Sequence, residues 1–342
     1  MTNVLVTGGA GYIGSHTCKA LAAAGFTPVT YDNLVYGHES AVKWGPFERG
    51  DILDAARLAD VIRKYQPKAV LHFAAYAYVG ESVADPAKYY RNNVLGTLSL
   101  LESMRAEGIG QIVFSSSCAV YGVPESVPIS ESAHLNPINP YGASKVIAER
   151  MLADYGAAYG LKSVALRYFN AAGADPGSEI GEDHDPETHL IPLALEAAIG
   201  ARPDVTIYGN DYDTKDGTCI RDFVHVGDIA KAHVLALTKL QTGPLRPAYN
   251  LGAGHGVSVR EVIDTVGAIT GREITVATGP RRVGDPPVLL ADPRRANDEL
   301  DWKPEYPDIG DMIESAWSWH VRLRGASKLN GVEADREKRA AH

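Results

Sequence analysis

The chain has 342 residues, enough for about two domains, and its 45% hydrophobic and 22% charged residues are typical of a globular protein. Its formal net charge of −9 argues against a general nucleic-acid-binding role. Its three cysteines, Cys18, Cys118 and Cys219, form no CxxC pair, which argues against a disulfide framework or a zinc site. The N-terminus lacks a signal-peptide pattern, and no apolar stretch reaches the length of a membrane span. We therefore expect a cytoplasmic protein with no metal and no nucleic-acid or membrane partner.

In the first half of the chain, short apolar runs alternate with longer helical patterns. The predicted strands are 4–6, 27–31, 69–73, 112–115 and 163–168, and the predicted helices are 12–24, 55–64, 86–106 and 141–159. The strands are continuous apolar runs, as expected when helices cover both faces of a parallel sheet. The pattern predicts an α/β fold with a doubly wound parallel sheet of Rossmann type.

After residue 170 the pattern changes, beginning with a loop over 173–188 that is rich in glycine, proline and acids. The later helices are predicted at 190–201, 228–240, 258–270 and 308–324, with short strands within 203–222, 249–256 and 273–277 and a loop at 280–288. We predict a Rossmann-type domain over 1–169, to which segments near 223–252 return, and a smaller C-terminal α/β substrate domain over 170–325. The charged tail over 326–342 is expected to be frayed.

A glycine-rich turn follows the first strand and opens the first helix. Gly8, Gly11 and Gly14 flank Tyr12 and Ile13 in this turn. Glycines let the backbone approach a pyrophosphate, and the helix N-terminus offers free N–H groups and a positive dipole end. A glycine-rich turn can also exist without a ligand, but the strand–turn–helix setting favours dinucleotide binding.

An acidic residue ends the second strand, 18 positions after Gly14. The carboxylate of Asp32 can accept both ribose hydroxyls of an adenosine and would repel a 2′-phosphate, so the sequence favours NAD over NADP. Asn33 follows it directly. Asp51 and Ile52 lie at the end of another short apolar segment and are candidates to meet the adenine. Strand-end acids are also often simple turn or capping residues.

A tyrosine and a lysine stand four residues apart in the predicted helix over 141–159. Tyr141 and Lys145 therefore share one helix face. A phenol titrates near ~10, and a nearby ammonium together with an oxidised nicotinamide ring favours the phenolate. Ser115 and Ser117 directly follow the apolar residues 112–114 of a predicted strand. The ends of parallel strands face a ligand crevice, so Ser117 can pass a substrate proton to Tyr141. Such residues also occur on surfaces, and the combination with the phosphate loop favours catalysis.

These motifs, with others along the chain, carry a resemblance to a known family. The other segments are Arg167–Asn170, Gly209–Tyr212, Arg221–His225, Tyr249–Gly252 and Arg281–Asp285. From Val4 to about Trp319 the chain resembles the extended short-chain dehydrogenase/reductases and, within them, the UDP-glucose 4-epimerases. The resemblance implies that UDP-galactose and UDP-glucose interconvert through a 4-keto intermediate, with transient hydride transfer to tightly bound NAD. It assigns Tyr141 as the base, Ser117 as the proton relay and Lys145 as the group that lowers the tyrosine pKa.

The resemblance also implies which residues hold the two ligands. The cofactor would be lined, beyond the phosphate loop and Asp32, by Asn33, Asp51, Ile52, Phe73, Ala74, Ala75, Asn92, Ser115, Tyr141, Lys145 and Tyr168. The UDP-sugar would be held by Ser117, Asn170, His189, Leu190, Thr206, Tyr208, Arg221, Arg282, Asp285 and Leu289. Arginine suits a diphosphate because its planar fork makes paired hydrogen bonds.

Several positions depart from the family pattern and leave the substrate range open. Ala77 stands where many bacterial members carry a lysine, His189 replaces a common asparagine, and Leu289 occupies the position that gates the sugar pocket. UDP-pentoses and UDP-N-acetylhexosamines remain alternative substrates. A 4,6-dehydratase is disfavoured because Cys118-Ala119 replaces its Asp-Glu pair, and a non-catalytic NAD-binding protein would not need the tyrosine, lysine and serine together.

The resemblance further implies a homodimer. The helices over 86–106 and 141–159 of two copies would form a four-helix bundle, with Leu98, Leu100 and Leu101 as compatible apolar residues. The same leucines fit a core-facing helix equally well.

Overall fold

The computed structural model describes residues 2–282 and 284–323, so the predicted charged tail over 326–342 lies outside the described residues. The strands are β1 Thr2–Thr7, β2 Phe26–Asp32, β3 Phe47–Arg49, β4 Ala69–His72, β5 Gln111–Ser117, β6 Lys162–Tyr168, β7 Asn170–Ala172, β8 Val205–Tyr208, β9 Ile220–Arg221, β10 Phe223–His225, β11 Ala248–Leu251, β12 Val257–Ser258, β13 Val276–Gly279 and β14 Val288–Leu289. The helices are α1 Tyr12–Ala23, α2 Ala55–Tyr65, α3 Val79–Ala84, α4 Pro86–Tyr89, α5 Gly96–Ala106, α6 Pro140–Tyr159, α7 Leu190–Ala198, α8 Val226–Thr242, α9 Val259–Thr270, α10 Arg294–Leu300 and α11 309–323.

The centre of the molecule is a seven-stranded sheet in the order β11-β6-β5-β4-β1-β2-β3. Every pair within it is parallel. Val4 and Val6 of β1 pack on one face with α1, α8 and α10, whereas Leu5 packs on the other face with α2, α5 and α6. Successive residues of a strand point to opposite faces, so both faces need apolar side chains. The predicted doubly wound parallel sheet is confirmed.

A second hydrophobic core lies outside the central sheet. It is built from α7, α9 and α11 around β8, with Leu195, Val262 and Ile313 fully or almost fully buried. Three small sheets adjoin it: β10 with β7, β12 with β9 and β14, and β13 with β8. The predicted domain boundaries at residues 169 and 325 remain predictions.

Local sequence signals account for several helix ends. Asp54 caps α2 by accepting a hydrogen bond from the Arg57 backbone N–H, and Asn139 caps α6 in the same way through Gly142. The sequence predicts one continuous helix over 86–106. In the structure, a π-helical turn over Tyr90–Leu95 separates α4 from α5. Within 2–282 and 284–323, no helix is long and apolar enough to cross a membrane.

Candidate active site

One cavity of about 570 Å³ opens at the carboxyl edge of the central sheet. Parallel sheets bind ligands at this edge because the strand ends and helix N-termini meet there. The predicted residues that line it are Gly8, Gly11, Tyr12, Ile13, Gly14, Asp32, Asn33, Ile52, Phe73, Ala74, Ala75, Asn92, Ser115, Ser117, Tyr141, Lys145, Tyr168, Asn170, His189, Leu190, Arg282, Asp285 and Leu289. Asp51, Thr206, Tyr208 and Arg221 are not among its lining residues.

The glycine-rich turn has a geometry that excludes side chains. Gly8 has a φ of +74°, and a Cβ there would lie 2.5 Å from the Ala74 backbone nitrogen. A Cβ on Gly14 would lie 2.1 Å from the Gly8 carbonyl oxygen. Gly11 is the N-cap of α1, and no side chain caps this helix. The first N–H groups of α1 are therefore available to a bound phosphate, and the helix dipole favours its negative charge.

Asp32 is held at the end of β2 by the turn itself. Its carboxylate accepts hydrogen bonds from the backbone N–H groups of Ala10, at 3.0 Å, and Leu34, at 2.8 Å. Burial raises its pKa, while these hydrogen bonds act in the opposite direction. The carboxylate thus lies beside the phosphate loop, as a ribose-binding acid requires.

Asp51 lies behind the cavity wall. Its carboxylate accepts a hydrogen bond from the Asn33 side chain at 3.0 Å, and Asn33 itself faces the cavity. The tertiary structure thus places Asp51 as a support for Asn33. Ile52, the next residue, does line the cavity.

The π-helical turn places the Asn92 side chain in the cavity, and hydrogen bonds of its neighbour Asn93 hold the turn in place. Asn93 in this turn accepts a hydrogen bond from the Tyr76 backbone N–H and donates to the Tyr76 carbonyl and to the Ser144 hydroxyl. Its neighbour Asn92 faces the cavity. π-Turns inside α-helices are frequent at functional sites because the extra residue redirects side chains. The sequence pattern predicted the helix but not this turn, because the apolar periodicity around it is intact.

Ser117, Tyr141 and Lys145 meet at the floor of the cavity. Ser117 is the last residue of β5, and Tyr141 follows Pro140 in the first turn of α6. The Lys145 Nζ lies 5.8 Å from the centre of the Tyr141 ring and donates a hydrogen bond to the Ser115 carbonyl at 2.8 Å. The helix cap at Asn139 and the end of β5 therefore set the positions of these groups.

Burial has the largest effect on the pKa values of Tyr141 and Lys145. It raises the pKa of Tyr141 to about 12, against a hydrogen bond from Ser117 that lowers it. It also lowers the pKa of Lys145 to about 7, against the attraction of Glu149, one turn further along α6. The sequence-based argument for a lowered tyrosine pKa did not include burial. Within this site, additional positive charge beside the phenol is therefore needed to form the phenolate.

Three of the residues assigned to the UDP-sugar, Thr206, Tyr208 and Arg221, are not cavity-lining residues, and two of them contact residues that are. The Arg221 guanidinium pairs with the Asp285 carboxylate at 2.5 Å, so it holds this acid from behind. The Arg282 guanidinium lies 4.3 Å from the centre of the Tyr208 ring, a cation–π contact. Thr206 lies in β8, two residues before Tyr208. Of the predicted arginines, Arg282 is therefore the one that lines the cavity.

Other lining residues were not singled out as site residues from the sequence. They include Tyr31, Tyr36, Tyr76, Tyr78, Cys118, Phe169, Glu182, His184, Ile191 and Phe223. The rings of Tyr36 and Tyr76 lie 5.6 Å apart, and the Lys88 ammonium lies 4.1 Å from the centre of the Tyr76 ring. Isolated tyrosines in loops carry no periodic signal, so the cluster could not be found before the chain was folded.

Comparison with known proteins agrees with this geometry. A UDP-glucose 4-epimerase from Rhizobium meliloti (strain 1021) is 54% identical over 320 residues, which cover 94% of this chain and 97% of that protein. The crystal structure of UDP-glucose 4-epimerase from Brucella ovis in complex with NAD is 58% identical, with a TM-score of 0.90, and the match covers 93% of this chain and 98% of that one. The UDP-glucose 4-epimerase from Bifidobacterium longum in complex with NAD+ and UDP is 40% identical, with a TM-score of 0.88, over 94% and 98% of the two chains.

A family model identifies the family of this chain. It matches residues 4–252, a span that includes the phosphate loop, Ser117, Tyr141 and Lys145. The match extends over more than half of the chain. The chain therefore belongs to the NAD dependent epimerase/dehydratase family.

Proposed function

We propose that this protein is a UDP-glucose 4-epimerase that interconverts UDP-galactose and UDP-glucose with a retained NAD. The observation that carries the proposal is a single cavity lined both by the phosphate loop and by Arg282 and Asp285, with Tyr141 and Ser117 at its floor. A dinucleotide and a nucleotide sugar can therefore both bind in the cavity that contains Tyr141. The similarity to named UDP-glucose 4-epimerases over nearly the whole chain supports the same reaction.

The residues around the phosphate loop fit NAD. The N-terminus of α1 suits the pyrophosphate, and the Asp32 carboxylate suits unphosphorylated ribose hydroxyls. NAD held by these residues would supply the hydride acceptor and the positive charge of its oxidised ring. Lys145, buried and bonded to the Ser115 carbonyl, adds a second positive charge when protonated. Both charges favour the Tyr141 phenolate, which burial alone disfavours.

Proton transfer is the role of Tyr141 and Ser117. As a phenolate, Tyr141 takes the proton of the C4 hydroxyl, with the Ser117 hydroxyl as the relay between them. The C4 hydride would pass to NAD, held by the phosphate loop and Asp32, and a 4-keto sugar would remain. Return of the hydride to the opposite face of the sugar, and of the proton from Tyr141, gives the epimer.

Epimerisation requires the sugar to turn while the nucleotide stays bound. Arg282 and Asp285 provide charged and hydrogen-bonding groups at one side of the cavity, and the Asp285 carboxylate is fixed by Arg221. Near them, Phe169, Phe223 and Leu289 offer apolar surface. We propose that the charged residues hold UDP and that the apolar wall leaves the hexose free to rotate.

A direct test is to incubate the purified protein with UDP-galactose and no added NAD, and to identify the products by proton NMR. UDP-glucose that accumulates to a fixed equilibrium is the expected result, and it shows both 4-epimerisation and a retained cofactor. If no UDP-sugar is converted even after NAD is added, although NAD binds, the proposal is wrong and a non-catalytic binding protein is indicated.

Replacement of the base provides a sharper test. Tyr141→Phe should lower turnover by about 10²–10⁴-fold while UDP binding persists, because proton transfer is lost but the nucleotide contacts remain. Tyr159→Phe is the matched control, since this tyrosine is 60% exposed on the same helix. Near-normal turnover of the Tyr141→Phe variant would contradict the assigned base.

Leu289 leaves room for a broader substrate range. It is half-buried in β14, lines the cavity and packs against the cluster that contains Phe169. We propose that UDP-N-acetylhexosamines or UDP-pentoses are further substrates. Leu289→Tyr should then suppress conversion of UDP-N-acetylglucosamine while UDP-galactose is still converted. Equal loss of both activities would contradict a gating role.

A 4,6-dehydratase is less well supported. The residues after Ser117 are Cys118 and Ala119, and both line the cavity. Burial raises the pKa of the Cys118 thiol to about 11, so it is a poor acid or base for the elimination of water. The NMR assay separates the two reactions, because a dehydratase would yield a 4-keto-6-deoxy sugar.

We also propose a homodimer through the helices over 86–106 and 141–159. Leu100 and Leu101 are buried in the core, but Leu98 and Ile147 remain 37% and 38% exposed on α5 and α6. Apolar residues exposed on neighbouring helices are typical of an interface. Wild-type protein should sediment as a dimer, and Leu98→Glu with Ile147→Glu should sediment as a monomer. A monomeric wild type would contradict the dimer.

Finally, we propose that the protein works in the cytoplasm. Cys18, Cys118 and Cys219 are all free thiols, as expected in a reducing compartment. Cell fractionation, with activity measured in each fraction, tests the proposal.

A further inference from the structure

The loop between β7 and α7 brings together two histidines and two glutamates, here termed the His–Glu cluster: Glu182, His184, Glu187 and His189. One side-chain nitrogen or oxygen from each lies within 4.8 Å of those from the other three. Glu182, His184 and His189 also line the cavity. The cluster is thus a set of potential ligands beside the candidate active site.

The donor atoms lie close enough together to reach one ion after adjustment of the side chains. Glu182 Oε1 lies 3.1 Å from His184 Nδ1 and 2.5 Å from His189 Nδ1. Glu187 Oε2 lies 3.9 Å from His184 Nδ1, and Glu187 Oε1 lies 3.5 Å from His189 Nδ1. Bonds of 2.0–2.1 Å to a tetrahedral zinc ion would place neighbouring ligand atoms about 3.3 Å apart. The observed separations lie on both sides of this value.

The protein satisfies only part of the cluster: His189 Nδ1 bonds to Glu182, and Glu187 accepts hydrogen bonds from the backbone N–H groups of Thr188 and His189. The Glu182 and Glu187 side chains are only 7% and 9% exposed, whereas His189 is 49% exposed, so the cluster opens to the cavity on the His189 side. His184 Nδ1 is buried and makes no hydrogen bond among the described residues, because its contact with Glu182 lacks suitable geometry. A cation among these side chains would accept the lone pair of the unbonded His184 nitrogen and would offset the negative charge of two poorly exposed carboxylates.

We propose that the His–Glu cluster binds a divalent transition-metal ion of the zinc type. Imidazole nitrogens with carboxylate oxygens suit Zn²⁺, whereas Mg²⁺ and Ca²⁺ prefer oxygen ligands alone. The expectation of no metal rested on the cysteines, and it did not consider the spacing of these histidines and glutamates. Residues 182–189 are close in sequence, but only the folded loop points their donor atoms at one another.

The bound ion would fix one wall of the cavity. Within this loop, the Glu182 carbonyl accepts a hydrogen bond from the Trp319 indole at 2.8 Å, and the Asp183 carbonyl lies 2.7 Å from His38 Nε2. The ion would tie the side chains of the same segment together. Occupancy should therefore raise the thermal stability of the protein, whether or not it turns over a substrate.

The test uses untagged, full-length protein that has been treated with a chelator and dialysed. Calorimetric titration with ZnCl₂ should show one ion bound per chain, and MgCl₂ should show no comparable binding. His184→Gln should weaken Zn²⁺ binding by at least about tenfold, since it removes one ligand. His134→Gln is the matched control, because His134 is exposed and outside the cluster. Crystals grown with Zn²⁺ should show zinc-edge anomalous density among the four side chains.

Equal Zn²⁺ affinity in wild type and His184→Gln, or no binding by the wild type, would overturn the proposal. If His184→Gln fails to fold, Glu187→Gln decides the question by the same titration. Because calorimetry and anomalous density do not depend on turnover, a failure here is distinct from a failure of the proposed epimerase activity.

Discussion

Glu149→Gln should destabilise the protein more than any exposed ion-pair variant on the same helix. Glu149 lies on α6, one turn after Lys145, and receives hydrogen bonds from Arg167 at 2.9 and 2.5 Å and from the Ser116 hydroxyl at 2.6 Å. The Arg167 and Glu149 side chains are only 7% and 11% exposed. Glutamine presents an N–H₂ group where the arginine needs an acceptor, so a buried guanidinium loses its counter-charge.

The size of the effect follows from this burial. Removing one partner of a buried pair costs about 3–5 kcal/mol, a large part of the about 5–15 kcal/mol that stabilises a typical protein. For 342 residues, an unfolding entropy of about 2.1 cal/mol/K per residue converts this loss into a Tm decrease of about 4–7 °C. The loss is large because Arg167 also donates to the Tyr121 hydroxyl, which in turn donates to the Asn250 side chain.

Differential scanning calorimetry measures the shift. The control is Asp154→Asn, which breaks the pair between Arg150 and Asp154 on the same helix. These side chains are 77% and 59% exposed, so the pair contributes about 0.3–0.5 kcal/mol and its loss should lower Tm by less than about 1 °C. If the Tm of Glu149→Gln lies within about 1 °C of the Tm of the control, the buried pair does not contribute about 3–5 kcal/mol to stability.

The same variant should change the pH dependence of turnover. Burial lowers the pKa of Lys145 to about 7, and the Glu149 carboxylate limits this decrease. Without the carboxylate, Lys145 loses its proton at lower pH, so the alkaline limb of the pH–rate profile should move to lower pH. An unchanged profile would show that Lys145 need not be charged during turnover.

Two further predictions concern the cofactor site and acid stability. Gly14→Ala places a Cβ 2.1 Å from the Gly8 carbonyl oxygen, an overlap that should cost about 1–3 kcal/mol and weaken NAD retention by about 5- to 150-fold in a dialysis assay. Gly110→Ala, where the added Cβ meets nothing within 4 Å, should retain NAD normally, and equal loss in both variants would contradict the clash. Burial lowers the pKa of His233 to about 4, below the value of about 6.5 expected when unfolded. Between these pH values the unfolded chain therefore binds more protons than the folded chain. The buried neutral His233 thus contributes about 3 kcal/mol to stability, which is complete above about pH 6.5 and is lost as the pH falls toward about 4. In His233→Leu, the Tm should fall less steeply over that range, and an identical slope would contradict the assignment.

Much of the candidate site could be predicted because its signals are local. The phosphate loop needs glycines at the junction of one strand and one helix, and Tyr141 and Lys145 need only the spacing of one helical turn. Asp32 stands at the end of its strand in both the prediction and the structure. Such features depend on neighbours in sequence, so the local backbone geometry is enough to place them.

The sequence by itself therefore determined the parallel sheet, the dinucleotide loop and the pairing of Tyr141 with Lys145. Only the tertiary structure decided that Arg282 lines the cavity while Arg221 pairs with Asp285. It also decided the pKa directions of Tyr141 and Lys145, because burial depends on elements distant in sequence. Local spacing sets which side chains share a face, but desolvation and contacts between remote segments set what those side chains meet.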